Sequence, residues 1–131
     1  MSEASMSKTV MKALKPLHGV RIETTHSGFP DVSYADGLLE NKYAARWPSR
    51  PTTPLKLHIQ PGQKPFWSRR AAVGGRIFVL LKVGREWLLF DGATAAKLLG
   101  VGTKVDLRMF AVKRWAKKLD ADELVAELGA K

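Results

Sequence analysis

The sequence predicts an α+β (α/β) domain: one mixed β-sheet with helices on its faces. Three observations lead there. Apolar residues recur at helical spacing near the start. The dipeptide Asp36-Gly37 separates two stretches that alternate like strands. A glycine-bounded apolar run, IFVLL at 77–81, follows a further helical pattern. A length of 131 residues suits one domain, taken as 1–131.

Each element has its own signal. Residues 2–15 read as a helix with Met6, Val10, Met11 and Leu14 near one face, Ser2 as cap and Pro16 as stop. Gly19 opens an extended stretch over 20–24, and THSGFP at 25–30 reads as a turn-rich loop. A strand over 31–35, the Asp36-Gly37 turn and a returning strand over 38–45 make a hairpin. Alternation sends Leu39, Asn41 and Tyr43 to one face, and Leu38, Glu40 and Lys42 to the other.

Residues 46–61 hold four prolines and no period, the mark of a functional or partner-ordered connection. A helix is expected from Pro61-Gly62-Gln63 to about Val73, packing through Phe66, Ala72 and Val73, and ending at Gly74-Gly75. The apolar strand at 77–81 turns at Gly84-Arg85 into an antiparallel strand over 86–91. One short helix follows over 93–99, then one or two over 109–128. The core is thus expected at about 2–91, with a helical extension at about 92–131.

Charge is the informative part of the composition. The chain carries 22 basic and 12 acidic residues, a net +10. Residues 43–88 hold nine basic residues against Glu86 alone, whereas 1–42 balance to zero. So localised a positive field suits a polyanion, because each neutralised phosphate releases counterions. The bland reading is a solvated basic face. There is no cysteine, hence no disulfide framework and no thiolate metal site. No eighteen-residue apolar run and no basic-then-apolar leader occur, so neither a membrane span nor a secretory signal is expected.

The chemistry concentrates in Pro30-Asp31 and Glu40-Asn41-Lys42. Glu40 and Lys42 are two apart on a strand and so share a face. The hairpin can bring Asp31 to Glu40. Two carboxylates there suit Mg²⁺ with retained waters, and the Asn41 backbone carbonyl adds a further oxygen. Lys42 could orient a water or balance charge on a phosphorane. The competing reading is a surface salt bridge of roughly 0–1 kcal/mol.

Gly28-Phe29-Pro30-Asp31, Glu40-Asn41-Lys42 and Gln63, with Gly74-Gly75 and the apolar strand after them, resemble the core motif of PD-(D/E)XK nucleases. The wider pattern resembles virus-type replication-repair nuclease domains and phage or archaeal Holliday-junction resolvases. The resemblance implies a restriction-endonuclease-like core and a Mg²⁺- or Mn²⁺-dependent endonuclease for branched DNA. It also implies a homodimer; the lack of cysteine, leader and apolar span fits the cytoplasm, that of a bacterial or phage-infected cell. It places Gln63 beside the carboxylates and calls for a glutamate on the first helix, which Glu3 supplies, with Glu23 as the alternative. Two other readings stay open: a restriction- or homing-type endonuclease on the same core, and a non-catalytic basic DNA-binding module.

Arg46, Arg50, Lys56, Lys64, Arg69 and Arg70 are the expected phosphate contacts. His26, five residues before Asp31, is a further DNA contact. Its plainer reading is polar surface. His18 and His58 lack zinc-site spacing. Trp47 and Trp67 could stack on bases, although the core is the usual place for tryptophan, as expected for Trp87 and Trp115.

Overall fold

The computed structural model describes residues 3–22 and 29–129. Helix α1 (Glu3–Ala13) and a 3₁₀ turn (Lys15–Leu17) lead into β1 (Val20–Arg21), β2 (Val32–Tyr34) and β3 (Gly37–Ala44). Then come α2 (Gln63–Ala72), β4 (Ile77–Val83), β5 (Glu86–Asp91), α3 (Gly92–Leu98), α4 (Lys104–Phe110), β6 (Lys113–Trp115) and α5 (Ala121–Gly129). The six strands lie in sequence order in one sheet. Among the described residues only β3 and β4 pair in parallel; the other neighbours are antiparallel. This is the expected mixed-sheet α+β class, consistent with a restriction-endonuclease-like core.

Alternation divides the core between the two faces of the sheet. Leu39, Phe78, Leu80 and Leu89 pack with α1 (Met6, Val10), with Leu14 just after it, and with α5 (Leu124, Leu128). Ile77, Val79, Leu81, Leu88 and Phe90 pack with Trp67 of α2, Ala95 of α3 and Leu107 of α4. Covered on both sides, β4 is buried at all seven positions. Truncating Leu80 or Leu89, each fully buried, to alanine costs about 2–5 kcal/mol.

Several expectations need correction. Strand β1 ends at Arg21, and Ser2, Glu23 and His26 lie outside the described residues. Pro16 does not end structure abruptly; it sits at the start of the 3₁₀ turn, where a missing N–H costs little. The hairpin turn is Ala35-Asp36, with Gly37 already paired to Tyr34. Glycine is needed at 37 for close approach: a Cβ there would stand 2.5 Å from the Arg76 carbonyl oxygen. In α2 the buried apolar residue is Trp67, while Ala72 and Val73 face solvent.

The tail departs most from expectation. It is not wholly helical: α3 and α5 stand near the expected spans, but β6 adds a strand to β5, and α5 buries Leu124 and Leu128 in the core. Helix α4 starts at Lys104, where Thr103 and Asp106 form a capping box worth about 0.5–2 kcal/mol. Among the described residues no helix is long and apolar enough to cross a membrane.

Candidate active site

The hairpin register explains why the acidic groups meet. Val32 pairs with Leu39, so one step further along the ladder Asp31 stands opposite Glu40. Opposite residues share a face; Val32 and Leu39 point into the α1 side, which leaves Asp31 and Glu40 on the α2 side. Asp31 is tied down just before β2 begins, its Oδ2 accepting the Asn41 N–H at 3.0 Å. The carbonyl of a strand residue leaves on the same side as its N–H, so the Asn41 carbonyl also points past the end of β2.

Lys42 and Gln63 complete the cluster. Gln63, the first residue of α2, is buried and bonds at both ends of its amide. Its Nε2 donates to Glu40 Oε2 at 3.1 Å, and its Oε1 accepts from Lys42 Nζ at 2.8 Å and from Gln60 N at 2.9 Å. Lys42 Nζ also donates to the His58 carbonyl at 2.7 Å and stands 3.6 Å from Glu40 Oε2. The proline-rich connection is therefore ordered by the chain itself, pinned at 58–60 by the same side chains that make the site, with Leu55 buried further back.

The electrostatics of this cluster are unbalanced. Glu40 is 3% exposed and its Oε1 has no hydrogen-bond partner. Burial pushes its pKa up to about 8; repulsion from Asp31 adds to this, and Lys42 opposes it. A buried carboxylate with an idle oxygen and a like charge beside it has a shortage of positive charge.

These groups line a cavity of about 430 Å³. Glu3 lines it from the first residue of α1. Arg21 and His58 line it too, and sequence reasoning missed both. Neither sits near the motif in the chain: Arg21 arrives through the pairing of β1 with β2, and His58 through its carbonyl bond to Lys42.

The other expected residues scatter. Arg46, Arg50, Lys56, Arg69 and Arg70 are exposed and Lys64 is half-buried; none of them lines the cavity. His26 and Glu23 fall outside the described residues. Trp67 is fully buried and cannot stack on a base in this fold. Trp47 is half-buried, its Nε1 donating to Glu86 Oε1 at 3.0 Å, so its role is structural.

The donor set fits a hard divalent cation. No group of three His, Cys, Asp or Glu that could hold a metal gathers among the described residues. Mg²⁺ needs no such cage, since one or two carboxylates plus waters suffice. The unpartnered Glu40 Oε1, with Asp31 adjacent, is the observation that fits. No protein-family model matches the chain, and no curated protein matches it either.

Proposed function

We propose that this protein is a metal-dependent DNA endonuclease that hydrolyses phosphodiester bonds with Asp31, Glu40 and Lys42. The observation that carries the reading is the convergence of two carboxylates, one with a buried idle oxygen, on a lysine fixed by two acceptors. Asp31, Glu40 and the Asn41 carbonyl would hold Mg²⁺ or Mn²⁺. The bound ion would supply a lowered water pKa and neutralisation of phosphate oxygens.

The chain's own groups do the rest. Two of the three N–H donors of Lys42 are committed to His58 and Gln63. The third is left on the Glu40 side, where it orients the attacking water and balances charge on the phosphorane. Gln63 fixes the distance between Glu40 and Lys42 by bonding both. Arg21 lines the cavity as a cation for the phosphate. The exposed Arg46, Arg50, Lys56 and Arg69 carry the flanking backbone. The branched-DNA preference and the homodimer, with its two active sites for paired cuts, rest on the motif resemblance.

The test compares cleavage of four-way, forked, linear and single-stranded DNA with and without Mg²⁺ or Mn²⁺. Ion-dependent cutting is expected, lost in Lys42→Ala while DNA binding persists. Binding without cutting under every ion would replace the reading with a basic DNA-binding module.

A further inference from the structure

Beside the cavity, Phe29 and Phe66 pack with ring centroids 5.2 Å apart at an interplanar angle of 57°. The Arg70 guanidinium lies over the Phe66 ring, 5.1 Å from its centroid. The two rings are half-buried and Arg70 is exposed. None of the three belongs to the main core clusters except Phe66, which touches one at its edge.

Arg70 is held in place. Its stem passes so close to Gly75 that a Cβ there would come within 2.5 Å of Cδ and 2.8 Å of Cγ. Among the described residues no carboxylate forms a salt bridge with it. A braced guanidinium plane on an aromatic ring, with its charge unanswered and its outer side in water, matches the arginine planes on which nucleobases stack.

Position ties this group to the candidate site. Gln63, Phe66 and Arg70 are spaced i, i+3, i+7 and so share one side of α2. Phe66 lies three residues along α2 from Gln63, a rise of ~4.5 Å. Phe29 precedes Asp31 by two residues, at most about 7 Å of chain. The separation is one or two nucleotide rises of about 3.4 Å.

We propose that Phe29, Phe66 and Arg70 form a stacking platform for an unpaired nucleobase next to the cleaved phosphate. The proposal rests on the nuclease reading and narrows its substrate to DNA with a base out of the stack beside the cut. Phe66 backs the guanidinium, Arg70 offers its plane to the base, and Phe29 closes the side toward Asp31. The site takes any base, because every base has a π-face.

The experiment uses forked DNA with an abasic residue scanned through the positions around the branch, and 2-aminopurine at the unpaired position. Wild-type protein is expected to bind the abasic fork about 5- to 150-fold more weakly at one position, the loss of one stacked base. It should also quench 2-aminopurine there. Arg70→Lys keeps the charge but not the plane, and Phe66→Leu keeps apolar volume but not the ring. Both should bind intact and abasic forks alike and leave 2-aminopurine unquenched. Arg70 is exposed, so its variant stays informative if Phe66→Leu fails to fold. Wild-type binding that ignores base removal at every position, or full discrimination in Arg70→Lys, overturns the platform while leaving the nuclease reading intact. Absence of any DNA binding by wild type overturns both.

Discussion

Glu40 and Glu86 are both almost fully buried and both stand beside a cation, yet their surroundings treat charge in opposite ways. Burial pushes Glu86 up as well, but hydrogen bonds from Arg108 and Trp47, then the charges of Arg108 and Arg114, hold its pKa below the ordinary value. Arg108 grips both of its oxygens at 2.9 and 2.7 Å, Trp47 Nε1 adds a third bond at 3.0 Å, and Arg114 stands 3.4 Å away. Glu40 has Gln63 on one oxygen, nothing on the other and Asp31 alongside. A saturated buried carboxylate joins elements together, here β3's exit, β5, α4 and β6. A buried carboxylate with a deficit is a place for something the chain does not itself provide.

The comparison can be broken by exchanging the roles of the two glutamates. Asp31→Ala or Glu40→Gln should lower the cleavage rate about 10³-fold or more, yet Glu40→Gln should not lower the melting temperature. Unaltered cleavage in either variant would remove them from the reaction. Glu86→Ala should do the reverse. It leaves Trp47 Nε1 and two arginines without their acceptor, costing about 2–3 kcal/mol of stability, with cleavage retained well below the melting temperature. A denaturant titration reads the first effect; a Glu86→Ala protein as stable as wild type would show that saturation there contributes nothing.

Acidity sharpens the contrast. The folded-state pKa of Glu40, about 8, lies above its ordinary 4.5. Stability associated with the protonated group is therefore full below pH 4.5 and lost as pH rises through 8, on the order of a few kcal/mol. For Glu86, shifted downward, stability is present above 4.5 and lost as pH falls through its folded value. Without divalent ions, melting temperatures should fall from pH 5 to about pH 8 (a window set by Glu40), and Glu40→Gln should flatten that slope. An identical slope in the variant would detach it from Glu40. The smallest expected effect belongs to the exposed basic surface. Arg69→Ala should reduce the slope of log K against log salt by about 0.9, one phosphate contact; an unchanged slope would place Arg69 off the DNA path.

Legibility followed the range of the forces involved. The shared face of Asp31, Glu40 and Lys42 was readable from alternation, but the register was not: a turn at Asp36-Gly37 would set Asp31 opposite Lys42, whereas the turn at Ala35-Asp36 sets it opposite Glu40. Helix α2 was readable from the glycines and prolines at its ends. Strand β6 was not: Lys113-Arg114-Trp115 has too few residues to show a period, and it exists because β5 offers a free edge. The start of α4 was marked locally by Thr103 and Asp106, a capping signature that the reading passed over. Arg21 and His58 reach the cavity through pairings set by other parts of the chain, so no local pattern announces them. Trp47 was open to a stacking role beside Arg46 and Arg50; instead Lys104 and Arg108, distant in sequence, lie over its ring, and its Nε1 bonds Glu86.

The most direct measurement is calorimetric titration of the protein with Mn²⁺ near neutral pH in buffers of different ionisation enthalpy, wild type against Glu40→Gln. Ion binding that releases close to one proton in wild type, and fails in the variant, is the predicted result, since Glu40 must ionise to receive the cation. Binding of equal strength in both proteins, or no binding by wild type at millimolar ion, would contradict the account.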